Sequence, residues 1–159
     1  MTETAPELPA DPPARARVSP LAPCVLAWIV PGLGHAWLGR RGRGAAFFTV
    51  VVATFVLGIA SGGASTVIDR QQPLSYLAIV DNLALGPLDF VARRLTIGEL
   101  VYRLPDPEAD PRRHEILARV RDRVRIPTYE YGSTFLLTAG LMNILLILDA
   151  FDIASGRKD

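Results

Sequence analysis

Residues 31–44 of the chain read Pro-Gly-Leu-Gly-His-Ala-Trp-Leu-Gly-Arg-Arg-Gly-Arg-Gly, and they separate two apolar runs at residues 21–30 and 45–60. Five of these residues are glycine and three are arginine. A short, glycine-rich, basic segment between two apolar runs is typical of a tight turn that joins two membrane helices. The residues assigned to this turn are Pro31, Gly32, Gly34, His35, Gly39, Arg40, Arg41, Arg43 and Gly44.

The bulk composition indicates a membrane protein of one domain. The chain has 159 residues, of which 50% are hydrophobic and 21% are charged, and its net charge is +1. Its mean hydropathy is +0.26, so apolar and charged residues are segregated along the chain, as they are in multi-pass membrane proteins. The single cysteine, Cys24, excludes an internal disulfide and a cysteine-built metal site.

The first apolar run is too short to cross a bilayer by itself. Residues 1–20 are proline-rich and predict a disordered tail, and residues 21–61 predict the transmembrane hairpin. A helix over residues 21–30 rises only about 15 Å, against roughly 30 Å of hydrocarbon. Either the helix continues through Pro31 and Gly32 to Leu38 with a kink, or the segment is re-entrant.

Two further segments differ in polarity. Residues 44–60 carry no charge and predict the clearest span, whereas residues 74–94 include Asp81, Asn82 and Asp89 and the helix breaker formed by Gly86 and Pro87. A charged side chain at the centre of a bilayer costs about 3 kcal/mol on insertion scales. Residues 74–94 therefore form either a third span, with Asp81 facing protein or water, or an interfacial helix.

Residues 105–127 predict a cytoplasmic loop followed by a basic amphipathic helix. Leu117, Val120 and Val124 would share its apolar face. A basic amphipathic helix beside membrane spans is expected to lie on an anionic membrane surface. The arginines expected to contact lipid headgroups are Arg112, Arg113, Arg119, Arg121, Arg123 and Arg125.

Residues 129–155 predict the C-terminal transmembrane helix. Gly140 and Asn143 are the small and polar residues that helix packing in lipid uses, and Asp149 and Asp152 would lie near the membrane interface. The whole pattern predicts an all-α integral membrane helical bundle with three to four transmembrane helices and one interfacial amphipathic helix. By the positive-inside rule, the distribution of basic residues favours three spans and four spans equally. Four spans with a cytoplasmic turn are favoured, because three arginines in a tight turn are hard to translocate.

The glycine-rich turn resembles the signature of the TM-two domain family, in which a short turn with an aromatic-Leu-Gly-basic core joins two transmembrane helices. The likeness runs from Pro31 to Arg40, includes Gly44, and covers residues 21–60. Residues 129–158 are similar to the ends of small bacterial membrane proteins of unknown function. The resemblance implies a membrane location and a cytoplasmic hairpin loop, and it implies no reaction.

Four carboxylates and one histidine are the candidates for a functional site. The carboxylates could carry protons or bind a cation, or they could form ion pairs with neighbouring arginines. His35 could ligate a tetrapyrrole metal or take part in a proton path, or it could bond to a backbone carbonyl or a lipid phosphate. The carboxylates are Asp81, Asp89, Asp149 and Asp152.

The sequence favours a non-enzymatic structural or accessory subunit of the bacterial inner membrane. It would pack against itself or other membrane proteins through small residues. The alternatives are a proton- or ion-conducting element that uses Asp81 with Asn82, and a His35-ligated accessory subunit of an electron-transfer or pigment complex. The expected partners are anionic lipid headgroups and other membrane subunits. No cofactor, metal or nucleic acid is expected.

Overall fold

The computed structural model of the protein describes residues 19–68, 74–104 and 112–158. The described part is helical, and its one β feature is an isolated bridge between Ile68 and Arg103. The prediction of an all-α chain is therefore confirmed. The helices are α1 (Leu21–Ile29), α2 (Leu33–Trp37), α3 (Arg41–Ala60), α4 (Leu74–Ala84), α5 (Pro87–Thr96), α6 (Arg112–Val124) and α7 (Tyr129–Ala154). The predicted tail, up to residue 18, and the loop at residues 105–111 lie outside the described residues.

Helices α3 and α7 are long and apolar enough to cross a membrane. They rise about 30 Å and 39 Å, and they pack antiparallel. Gly58 near the end of α3 meets Gly132 and Leu136 near the start of α7. Phe47 near the start of α3 lines a groove with Asp149 near the end of α7. Within the described residues there are thus two candidate spans, or three if the bent pair of α4 and α5 counts as one.

Helices α1 and α2 fold back on each other. Helix α1 ends at Ile29, Gly32 adopts a φ of 81°, and α2 begins at Leu33. A side chain at Gly34 would overlap the Pro23 carbonyl and touch Ala27, although a continuous helix would hold residues 23 and 34 about 16 Å apart. The predicted kinked span through Pro31 is therefore wrong, and the chain follows the alternative in which it turns back.

Helices α4 and α5 form a second broken pair, bent by 119°. The break contains Leu85 and Gly86, and Gly86 adopts a φ of 59°. Pro87 opens α5, where its missing N–H costs no helical hydrogen bond. Helix α5 returns toward the end of α3, since Arg93 bonds to the carbonyl of Thr66.

The two breaks meet beside the middle of α7. The indole N–H of Trp28 donates to the Leu83 carbonyl over 2.8 Å, and Gly86 lies against the Trp28 backbone. Asn143, about 21 Å along α7 from its start, donates to the Ala84 carbonyl over 2.7 Å. One broken pair thus precedes α3, and the second broken pair and then α6 precede α7, which packs antiparallel to α3.

The hairpin turn and α6 lie at opposite ends of α3. Arg41 opens α3, whereas Ile126, just after α6, packs against Gly62 just after the end of α3. The favoured four-span arrangement placed the turn and α6 on one side of the membrane. The placement of the turn and α6 at opposite ends of α3 disagrees with that arrangement.

Candidate functional site

Asp81 and Asn82 lie on the last turns of α4, just before its break. Asp81 is 6% exposed and Asn82 is 1% exposed. Gly140 of α7 contacts both the carbonyl oxygen and the Oδ2 atom of Asp81. A residue with a Cβ at position 140 would displace these oxygens, so the glycine creates the close approach of α4 to α7.

Asn143 lies one turn beyond Gly140 on the face of α7 that packs against α4. Its Nδ2 group is held by the Ala84 carbonyl, whereas its Oδ1 atom is buried and has no hydrogen-bond partner. Both carboxylate oxygens of Asp81 and the Nδ2 group of Asn82 are also buried without a partner. Buried polar atoms are normally paired, so this group is unusual. We call the set Asp81, Asn82, Gly140 and Asn143 the Asp81 seam.

The unpaired atoms of the seam are mainly acceptors. Asp81 Oδ1, Asp81 Oδ2 and Asn143 Oδ1 all lack a donor, and among the described residues Asp81 has no ion pair. The seam can therefore be completed by a proton on the Asp81 carboxyl or by a small cation. The described residues hold no group of three or more His, Cys, Asp or Glu side chains able to bind a metal.

Asp89 has a different environment, although it lies only eight positions after Asp81. It is fully buried, and the Nε group of Arg93 donates to its Oδ2 atom over 2.8 Å. Arg93 also donates to the carbonyls of Thr66 and Val101 and lies 4.0 Å from the centre of the Tyr102 ring. This pair therefore holds α5 to the segment after α3, which contains Thr66, and to the segment after α5, which contains Val101. Burial, with the charge of Asp89, raises the pKa of the Tyr102 phenol.

His35 joins the hairpin turn to the end of α7. The ring is fully buried, and its Nε2 atom lies 2.9 Å from Asp149 Oδ2. Lys158 donates to the other oxygen of Asp149 over 2.7 Å, and this bond raises the pKa of the Lys158 amine. His35 was predicted to bond to a backbone carbonyl and Asp149 to an arginine. The described contacts of these two side chains are instead with each other and with Lys158. Asp152 pairs with Arg157 over 3.7 Å.

The glycines of the predicted turn have internal contacts. A Cβ at Gly32 would overlap the Gly44 backbone, and one at Gly44 would overlap the Gly32 carbonyl and contact Ala36. Gly39 has no neighbour within 4 Å of that position. Pro31 is buried, Arg40 is partly buried, and Arg41 and Arg43 are exposed. The four residues predicted to pack against other proteins thus make their contacts within this chain. They are Gly32, Gly34, Gly140 and Asn143.

The arginines of α6 divide into two groups. Arg119 donates to the Ile97 carbonyl and Arg123 to the Leu95 carbonyl, so these two bind the end of α5, and their contact with a membrane surface stays a prediction. Arg121 and Arg125 are exposed. The apolar face is centred on Ile116, which is 2% exposed, whereas the predicted Val124 is 54% exposed.

Sequence reasoning identified Asp81, Asn82, Gly140 and Asn143 but did not bring them together. The spacing of Gly140 and Asn143 places them on one face of α7, and the breaker at Gly86 and Pro87 follows Asp81 closely. Trp28, which ties the two breaks together, was missed. Its position three residues before Pro31 was the available signal.

Comparison with curated proteins and with solved structures gave no match. The TM-two resemblance is not reproduced, although membership of an uncharacterised family is. The model of the family described as "Family of unknown function (DUF6677)" matches residues 22–159, which is most of the chain. The chain therefore belongs to the DUF6677 family.

Proposed function

We propose that this protein is an integral membrane protein that moves a proton or a small monovalent cation across the bilayer through the Asp81 seam. The observation that carries the proposal is the buried Asp81 carboxyl, which has no partner for either oxygen, beside the break between α4 and α5. A buried carboxyl without a partner lowers the stability of the fold, and ionisable residues within membrane segments generally mark functional sites. Structural carboxyls such as Asp89 are paired instead.

The broken helices support this assignment. Discontinuous helices in membrane transporters place their ends near the middle of the bilayer, where they form sites for substrates and coupling ions. Non-helical backbone at that depth is tolerated where protein covers it or where it lines a cavity. Here the two breaks enter from opposite ends and meet beside Asn143, so they are proposed to be two re-entrant pairs.

Further unpaired polar atoms lie along α7 on both sides of the seam. Toward the start of α7 are the buried hydroxyl oxygens of Ser133 and Ser65, and toward its end is the Nδ1 atom of His35. Ser133 lies about 15 Å along α7 from Asn143. These atoms suggest a route for an ion that passes from one end of α7 to the other through the Asp81 seam.

Flux measurements in liposomes test the proposal. Purified full-length protein is reconstituted, a membrane potential is imposed, and proton and sodium entry are followed with internal dyes. We expect flux above that of protein-free liposomes, and we expect Asp81→Asn to lower it at least tenfold. Asp152→Asn, at an exposed carboxylate near the end of α7, is the matched control and should retain the flux. Equal flux for Asp81→Asn and the wild type would contradict the proposal.

The basic residues support one orientation. Among the described residues, the end of the molecule that carries α6 has more arginines and lysines than the end that carries the hairpin turn, so we propose that the α6 end is cytoplasmic. A multi-pass location in the inner membrane follows. The residues at the α6 end are Arg94, Arg103, Arg112, Arg113, Arg119, Arg121, Arg123 and Arg125, against Arg40, Arg41, Arg43, Arg157 and Lys158 at the other end.

A structural or accessory role is the second candidate. Only 22% of the apolar window of α3 and 33% of that of α7 are buried within the chain, which leaves large apolar surfaces for lipid or for another subunit. The groove between these helices, lined by Phe47, Met142 and Leu145, has a volume of about 490 Å³. Stable co-purification with one partner or as a dimer, without flux, would favour this role.

A further inference from the structure

We propose that the Asp81 seam is a binding site for one dehydrated monovalent metal cation of the size of Na⁺. This proposal rests on the proposed function, because it specifies which ion the seam takes. The ligands are the carboxylate and the backbone carbonyl of Asp81 and the Oδ1 atom of Asn143. These are hard oxygen donors, which suit s-block cations and not soft transition metals.

The geometry directs two of these oxygens, both from Asp81, to one place. Gly140 contacts both the Asp81 carbonyl and Asp81 Oδ2, so these two oxygens lie over the same point of α7. Asn143 follows Gly140 by one turn, and because the Ala84 carbonyl holds its Nδ2 group, its orientation is fixed. The side chains are more than nine-tenths buried and their oxygens have no other partner.

The Asp81 carbonyl is available because the helix tightens at its end. The Leu85 N–H, which a continuing α-helix would direct to Asp81, donates to the Asn82 carbonyl over 3.1 Å. Backbone carbonyls at the C-terminal ends of broken helices coordinate Na⁺ in transporters that contain such helices. The same turn thus ends α4 and leaves a carbonyl oxygen without its helical donor.

The charge of the seam selects a monovalent ion. The site has one carboxylate, and no described Lys, Arg or His forms an ion pair with it. One positive charge therefore neutralises it, whereas a divalent ion would leave a net charge buried away from water. A proton on Asp81 would remove the charged ligand, so protons and the metal ion compete for the site.

Equilibrium binding of radioactive sodium to the full-length protein in detergent tests this site. We expect saturable binding of one ion per chain, weakened at least tenfold in Asp81→Asn and unchanged in Asp152→Asn. Wild-type binding should also weaken as the pH falls, with one proton displacing one ion. The pH titration uses no variant, so it tests the site even if Asp81→Asn fails to fold.

The outcomes separate this inference from the proposed function. If the wild type does not bind sodium saturably, or binds it equally well after Asp81→Asn, the cation site is overturned. If proton flux in liposomes still depends on Asp81 in that case, the proposed function stands with the proton as the transported ion. If sodium binds as expected but no ion crosses the liposome membrane, the site stands and the transport function fails.

Discussion

The two broken helix pairs have the same backbone design and very different polar content. Each turns back at a glycine with positive φ, Gly32 in the first pair and Gly86 in the second. The first pair is held by close backbone contacts at Gly32 and Gly34. The second pair contains Asp81 and Asn82, which are buried with unpaired atoms.

Under the proposed function, this difference separates the pair that holds the ion site from the pair that packs beside it. Both pairs place a helix end beside the middle of α7, so the bend alone requires no buried carboxyl. Natural sequences break packing rules mainly at functional sites. Under the proposed function, the second pair holds the ion-binding groups, and the first pair contributes His35, whose buried Nδ1 atom lies on the proposed route.

Loss of the buried ion pair should have the largest effect on stability. In Arg93→Met the Asp89 carboxylate stays buried without its partner, and we expect the free energy of unfolding to fall by about 3–5 kcal/mol. The measurement is denaturation in detergent followed by circular dichroism. Arg94→Met is the matched control, because the neighbouring Arg94 is exposed. Equal stability of the two variants would show that the pair does not fasten the second break.

Glycine replacement should distinguish a tight turn from an open one. Gly32 and Gly39 have φ values of 81° and 83°, but only Gly32 is crowded by the Gly44 backbone. Left-handed backbone costs an alanine about 1 kcal/mol, and overpacking adds to this. We expect Gly32→Ala to destabilise the protein by about 2–4 kcal/mol and Gly39→Ala by about 1 kcal/mol. The same loss at both sites in denaturation curves would contradict the packing of the first break.

The histidine contact should have an intermediate effect. His35→Leu removes the hydrogen bond to Asp149 but keeps an apolar side chain against Phe47, and we expect a loss of about 1–2 kcal/mol. Lys158→Met removes the hydrogen bond that Lys158 donates to the other oxygen of Asp149. Because the Lys158 side chain is exposed, this change should lower stability less. Thermal denaturation of both variants measures the order. A larger loss for Lys158→Met would show that Asp149 is held mainly from the surface.

Replacement of the unpaired carboxyl should have the smallest effect on stability. Because Asp81 has no ion pair or hydrogen-bond donor to lose, Asp81→Asn should leave stability unchanged or raise it by about 1 kcal/mol, while ion flux falls. The contrast with Arg93→Met tests, within the second broken pair, the difference between the paired carboxyl of Asp89 and the unpaired carboxyl of Asp81. A strongly destabilised Asp81→Asn would mean that Asp81 is a structural residue.

Local sequence patterns predicted part of this fold correctly. The uncharged run at residues 44–60 and the apolar run at residues 129–155 correspond to α3 and α7, since length and hydropathy decide whether a helix can span. The direction of residues 21–38 could not be predicted, because it depends on whether α2 packs back on α1, with Gly34 against Pro23, or extends away from it. The faces of α6 were misassigned in part, because Ile116 and Ile126 pack on surfaces supplied by distant residues.

The sequence by itself determined the helical class, the apolar spans, the positions of the breaks and the identity of the candidate polar residues, because these depend on composition and on short spacings. Only the tertiary structure decided that Asp89 is paired and Asp81 is not, that His35 reaches Asp149, and that the two breaks meet beside Asn143. Each of these depends on which residues, separated by four to more than one hundred positions, come within a few ångströms. Hydropathy and helical periodicity carry no information about such contacts, whereas close packing of the helices sets them.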